Sequence, residues 1–311
     1  MGTTNGSLTA EQIRHYEEHG SLHGLDCFDT PESVAWLRTK FEALLALMPP
    51  GVHVRDLGNW NIRNNWVYEL ASDPRLLDAL ESLIGPDFFC WGVGVFYKEP
   101  HKDQVIRWHQ GTGIWPLSSS VGAKLEGMSS QDGAPVGRLP TVMIAVSQLT
   151  KANGCLRFLN DTHLGPTIPH QLETNADRDK YIFETHVPED SMDCTSGLVH
   201  AEMKAGQFSI HHGATFHSSG PNTTDGIRCG LAIRYATYDL VFDPVRWPQV
   251  FAQPMRGTDR YHNKLKIAAP PTKFEIPTMA DLPHLDAGLS RMARAKLKAR
   301  RAVRKIVGRS A

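Results

Sequence analysis

Cysteine pairing is the first thing this 311-residue chain lacks. Cys27, Cys90, Cys155, Cys194 and Cys229 are odd in number, scattered, and nowhere spaced C-x-x-C. That excludes a disulfide-stapled scaffold or a zinc ribbon and fits a reducing compartment. Long apolar runs are also missing: none approaches the roughly 20 residues that cross a bilayer. The opening MGTTNGSLTAEQ has neither the basic start nor the apolar stretch of an export signal. Excess charge is absent, since 33 Lys and Arg balance 33 Asp and Glu. There is no internal repeat and no low-complexity region. These absences predict a cytoplasmic globular protein with no membrane segment and no nucleic-acid polymer as partner.

The zero net charge conceals an asymmetry. Residues 291–309, RMARAKLKARRAVRKIVGR, carry no acid, so the remainder is acidic by a similar amount. Leu289, Met292, Ala293, Leu297, Val303, Ile306 and Val307 give this stretch partial helical spacing. The expectation is one domain over residues 1–288 and a basic C-terminal helix over 289–311. Such a helix either packs on the acidic body or a partner subunit, which leaves a homo-oligomer open, or docks something acidic: nucleic acid, a carrier protein or a phosphate.

The first eighty-odd residues read as helical. Thr9-x-x-Gln12 is a capping box ahead of a helix from about Ala10 to His19. Thr30-Pro31 and Asp73-Pro74 open two more, the last stopped by Gly85-Pro86. After Pro86 the pattern changes. Phe88–Tyr97, Thr141–Val146, Gln207–His211 and Cys229–Tyr235 are short, apolar and bounded by turn residues, and they read as strands. Long irregular stretches separate them, notably Ser118–Pro140 and Glu173–Gly197, with the lengths of lids or binding loops. The predicted fold is mostly β, a sandwich or barrel core with N-terminal helices packed on it.

Histidine is the commonest metal ligand, and three places compete for that role. His109 stands at a predicted strand end, His211 and His212 form a pair, and His217 lies in TFHSSGPN. Taken singly, each is better explained as a hydrogen-bonded core or surface residue. Together, two histidines at distant strand ends with Arg228 opening the next strand form the layout of a mononuclear iron site. His211 and His212 precede the distal position and are read as structural.

Six stretches then carry a resemblance: LTAEQIRHYEEHG, LIGPDFFCWGVGVFYKEP, RWHQGTGIWPL, LPTVMIAVSQLTKANGCLRFLNDTH, AGQFSIHHGATFHSSGPN and RCGLAIRY. In this order, spanning roughly Leu8 to Pro244, they resemble the phytanoyl-CoA dioxygenase superfamily of Fe(II)- and 2-oxoglutarate-dependent oxygenases. The resemblance implies a double-stranded β-helix, a jelly-roll and cupin relative. It implies His109 and His217 as iron ligands, Arg228 as the partner of the far carboxylate of 2-oxoglutarate, and Lys98 as its assistant. O2 is the implied oxidant.

One position departs from that pattern. The family places an Asp two residues after the first His; here Gly111 stands there. Three readings follow: a site that has stopped doing chemistry, a carboxylate supplied from elsewhere such as Asp103, or a position left open for chloride or bromide. The third is the expectation, because relatives with His-x-Gly or His-x-Ala are aliphatic halogenases. Arg234 resembles the Arg that orders the halide region in such enzymes. The expected activity is radical halogenation of an unactivated carbon in natural-product biosynthesis. Lys98, His101, Lys102 and Arg107 precede His109, and Trp91, Trp108 and Trp115 are near in sequence. These predict an anionic small-molecule substrate, a free nucleotide such as deoxyadenosine monophosphate, with a carrier-protein-tethered group as the alternative.

Overall fold

The computed structural model describes residues 6–46, 48, 54, 58–114, 139–173, 177, 180–240, 250–261 and 265–274. The basic stretch 289–311, the boundary at residue 288, Trp115 and most of Ser118–Pro140 lie outside them.

The helical N-terminal third forms as its caps predict. Helix α1 (Ala10–His19) begins at Thr9, whose hydroxyl accepts from the Gln12 backbone while the Gln12 side chain accepts from the Thr9 N–H. Gly20 ends it at φ 77°, a left-handed conformation that suits glycine. A Cβ there would also lie 2.5 Å from both His163 Nδ1 and Thr215 Oγ1. The Gly20 carbonyl accepts from His212 N and Thr215 Oγ1, so the end of α1 is fastened to the turn that leads into His217.

Helix α2 (Pro31–Ala46) follows strand β1 (Ser21–Leu25), and helix α4 (Pro74–Ile84) starts at its Asp73 cap and stops at Gly85. Helix α3 (Asn65–Ala71) is an addition to the sequence reading; Asn64 caps it by accepting from Val67 N. Its seven residues are too few for a helical repeat to stand out, and its apolar Trp66, Val67, Leu70 and Ala71 are buried.

The core is two facing sheets. The larger holds seven strands in the order β1, β9 (Phe208–His211), β4 (Thr141–Ala145), β11 (Arg228–Thr237), β2 (Phe88–Lys98), β12 (Phe251–Arg256) and β13 (Lys266–Ile267). The smaller has the order β3 (Ile106–His109), β10 (His217–Ser219), β5 (Leu156–Leu159) and β8 (Leu198–Ala201). All its pairs are antiparallel. Strands β6 (Gln171–Leu172) and β7 (Thr185–His186) pair separately within the region read as irregular. The mostly-β jelly-roll expectation holds.

Strand alternation divides the large sheet into two working faces. Val93, Val95, Val142, Ile144, Phe208, Ile210, Leu231 and Ile233 point outward into one core shared with α2, α3 and α4. Phe96, Met143, Ala145 and Ala232 point inward and meet Ile106, Leu156 and Phe158 of the small sheet. The cavity that holds the histidines opens within this inner layer.

Candidate active site

His109 ends β3 and His217 begins β10, and the two are direct cross-strand partners. Residues more than a hundred positions apart are thereby brought to a ring-centroid separation of 4.0 Å. Each ring is held from behind. His109 Nδ1 lies 2.9 Å from the Arg107 carbonyl, and His217 Nδ1 lies 2.9 Å from the Thr215 carbonyl. A carbonyl only accepts, so each Nδ1 carries the proton and each Nε2 keeps a lone pair. Burial, with the neighbouring histidine, pushes the His109 pKa well below its ordinary value. His217 is brought down to about 4, again chiefly by burial. Two neutral imidazoles with free Nε2 lone pairs are the donor set that a divalent transition metal requires.

Among the described residues no group of three His, Cys, Asp or Glu side chains forms a metal cluster. Gly111 is buried at the start of the short helix α5 (Gly111–Ile114), two residues past His109. Asp103, offered as a substitute carboxylate, is exposed and does not line the cavity. Among the described residues no Asp or Glu lines that cavity; its polar lining is His109, Thr141, His211, His217 and Arg234. The pair of histidines fits iron, and among the described residues no third protein ligand stands beside it.

Arg228 heads β11 opposite Lys98 of β2. It is fully buried, and Nε, Nη1 and Nη2 all lack a hydrogen-bond partner. An unpaired buried guanidinium is costly, so its place implies an anion. Lys98 is equally buried, and its Nζ donates to Ser219 Oγ and to the Gly220 carbonyl. Burial first, then Arg228 and Arg157, lower its pKa well below the usual lysine value. Ser219 stands two residues after His217 on β10, roughly 7 Å along the strand. That is a suitable span for a five-carbon diacid anchored at the metal by one end and at Arg228 by the other. The residues therefore fit 2-oxoglutarate as well.

Arg234, six residues along the same strand, lines the histidine cavity. It is walled in by protein, keeps some accessible surface towards the cavity, and sits with its guanidinium 5.7 Å from the Trp91 ring. Burial lowers its pKa to about 10, which leaves it charged at neutral pH. Phe183 closes the cavity on the side of His109, its ring 5.2 Å away. The segment that carries Phe183 is tied to β3 and the residues before it: Val105 N donates to the Lys180 carbonyl, Ile182 N to Val105, and Val187 N to Trp108.

The basic cluster ahead of His109 does not form the expected anion clamp. Arg107 pairs with Glu173, caps the Phe183 and Glu184 carbonyls and stacks 4.2 Å from Tyr181. Lys102 pairs with Glu99 and His101 with Asp225 at the surface. Trp108 is packed with Leu159, Val187 and Phe216 rather than facing the cavity. The charges that reach the inner layer are Lys98, Arg228 and Arg234.

The sequence reading missed His211. His212 is structural as expected, its Nδ1 accepting from Ala214 N. His211 instead lines the cavity, 4.5 Å from the His217 ring, with both ring nitrogens unpartnered. A signal was present: in FSIH of β9, apolar Phe208 and Ile210 alternate with polar Ser209 and His211, as expected where one face meets a polar cavity.

Comparison with known proteins agrees with this architecture. The family described as phytanoyl-CoA dioxygenase (PhyH) matches residues 16–230. A probable phytanoyl-CoA dioxygenase of Caenorhabditis elegans is 30% identical over 268 residues, covering 76% of this chain and 78% of its own. Among solved structures, the apo non-heme monooxygenase ThoJ is similar at TM-score 0.64 and 22% identity, covering 92% of this chain and 96% of its own. CytC3 with Fe(II) and alpha-ketoglutarate is similar at TM-score 0.58 and 18% identity, covering 88% and 98% respectively. With the paired histidines, the orphaned arginine and the two-sheet core already in place, the chain belongs to the phytanoyl-CoA dioxygenase family of iron- and 2-oxoglutarate-dependent oxygenases.

Proposed function

We propose that this family member is a halogenase, installing chloride or bromide on an unactivated aliphatic carbon of a small molecule. The observation that carries the reading is that Gly111 stands two residues past His109, with no carboxylate beside His109 and His217 among the described residues. His109 and His217 would hold Fe(II) through Nε2, and Arg228 with Lys98 would hold the far carboxylate of 2-oxoglutarate. Iron, 2-oxoglutarate and O2 together supply the oxidising power to remove a hydrogen atom from carbon. The overall balance is R–H, halide, 2-oxoglutarate, O2 and one proton giving R–X, succinate, CO2 and water.

The chain's own residues set the outcome. With two neutral ligands and no carboxylate, the protein leaves one position and one negative charge to be filled from solution. A monatomic halide restores both without a side chain's bulk. Arg234 adds positive charge on the cavity wall, and Phe183, Ile106 and Ile114 keep that wall dry. For the substrate we favour a small anion, a free nucleotide such as deoxyadenosine monophosphate. Arg234 on the cavity wall gives a cation in support. A carrier-protein-tethered group is the second substrate class, and hydroxylation is the alternative outcome at the same site.

The test needs no substrate. Fe(II) and 2-oxoglutarate added to the protein without oxygen are expected to produce a visible charge-transfer band that shifts or strengthens as chloride is titrated. In Gly111→Asp the band is expected to ignore chloride. A wild-type band indifferent to chloride would return the protein to the hydroxylases, and no band at all would mark a site without iron chemistry.

A further inference from the structure

Three cavity-facing side chains stand in a row across neighbouring strands of the large sheet. His211 of β9 pairs directly with Thr141 of β4, and Thr141 pairs directly with Arg234 of β11. Adjacent strands lie about 4.8 Å apart, so the row spans roughly 10 Å of cavity wall. His211 is buried, and neither of its ring nitrogens has a partner; Thr141 Oγ1 is buried and unpartnered too. Two adjacent buried polar groups left without partners are uncommon in a folded protein and imply something that binds there.

The row also shares the cavity with the metal-binding pair. The His211 ring is 4.5 Å from that of His217. The helix that begins at Gly111 is pinned to the turn just after His211, because Thr112 N donates to the Gly213 carbonyl. A neutral imidazole offers one N–H, threonine one O–H, and Arg234 a charge, with no acid among the described residues lining the cavity. That is a donor set for an anion.

We propose that His211 donates its ring N–H to the anion that fills the position left open at Gly111, making it a residue that sets anion affinity rather than a metal ligand. The inference rests on the halide reading of the site and goes beyond it by assigning the group that holds the halide. Thr141 supplies the neighbouring donor and Arg234 the charge. The remaining ring nitrogen of His211, an acceptor, stays available to water. His211 thereby recovers in the loaded enzyme the hydrogen bonds it lacks in the free protein.

The experiment is the anaerobic chloride titration of the Fe(II) and 2-oxoglutarate band, run on the full chain for wild type, His211→Phe and His211→Asn. Phenylalanine keeps the ring volume and removes both nitrogens; asparagine restores an N–H donor. In His211→Phe the band itself and the 2-oxoglutarate affinity are expected within about twofold of wild type. Chloride affinity should fall about 10- to 100-fold, the loss of one hydrogen bond to a charge. His211→Asn should recover part of it. Loss of the band in His211→Phe would make His211 a metal ligand and overturn the proposal. Unchanged chloride affinity in that variant would make the residue structural and overturn it as well. A wild-type band blind to chloride would remove the halide reading first and this assignment with it.

Discussion

One strand shows the division of labour in this protein more plainly than any two domains could. The outward face of β11 carries Cys229, Leu231, Ile233 and Tyr235, all buried against the N-terminal helices. Tyr235 reaches across that layer and donates its hydroxyl to the Ala71 carbonyl at the end of α3, 2.7 Å away. The inward face of the same ten residues carries Arg228, Gly230, Ala232 and Arg234. One face contributes apolar area and a satisfied hydrogen bond; the other carries one fully buried and one half-buried guanidinium group with glycine and alanine between them. A Cβ on Gly230 would approach Met143 Sδ to 2.7 Å, so even the small residues are set by the inner layer. The outward face stabilises the strand, and that stability tolerates the cost of burying charge on the inward face.

That comparison can be broken from either side. The largest effect is expected at Arg228. Arg228→Met removes the guanidinium and should weaken 2-oxoglutarate about 1,000-fold, the scale for losing a buried hydrogen-bonded charge pair. The same variant should make the ligand-free protein at least as stable as wild type, since an unpartnered buried charge is gone. Calorimetric titration with 2-oxoglutarate and thermal unfolding check the two halves, and a fall in both would show that Arg228 also supports the fold.

Ile233→Ala, one residue from Arg234 but on the other face, should behave oppositely. It is expected to cost about 2–5 kcal/mol of stability through the cavity it leaves, with metal and 2-oxoglutarate affinities unchanged. Urea denaturation alongside metal titration measures it. A large change in metal affinity would mean the two faces are coupled.

The smallest effect is a pH dependence of the metal-free protein. Burial holds His109 and His211 well below the ordinary histidine pKa and His217 at about 4. Below about 6.5 the unfolded chain takes up protons that the folded chain refuses. Stability is therefore level above that pH and declines as pH falls, by roughly 1–2 kcal/mol between pH 7 and pH 6. His211→Phe should make the decline shallower, as followed by the unfolding midpoint.

Much of this was legible in the residues. The capping box at Thr9, the Pro31 and Pro74 starts and the stop at Gly85 are local signals, and α1, α2 and α4 begin and end where they say. Strands β2, β4, β9 and β11 were visible as apolar runs within a residue or two of their ends. Strands β1, β8 and β12 were not. Each is four to six residues of mixed polarity, and each becomes a strand only because a neighbour offers free backbone groups.

At the site, His109, His217 and Arg228 were assigned through the family resemblance of the motifs that hold them, and the fold brings the two histidines side by side. The salt-bridge partners of Arg107 and His101 could not be named from the sequence, because Glu173 and Asp225 lie far along the chain from those they pair with.

The sequence by itself therefore determined most of the element types and the presence of Gly111 two residues past His109, since these depend on local pattern and on identity at a position. Only the folded arrangement showed that Arg228 is left without a partner, that the basic cluster is consumed by acids, and that His211 faces the cavity beside Thr141 and Arg234. The physical reason is pairing. Which residues stand side by side across β9, β4 and β11 follows from strand register, and register is decided by packing between sheets and helices distant in sequence.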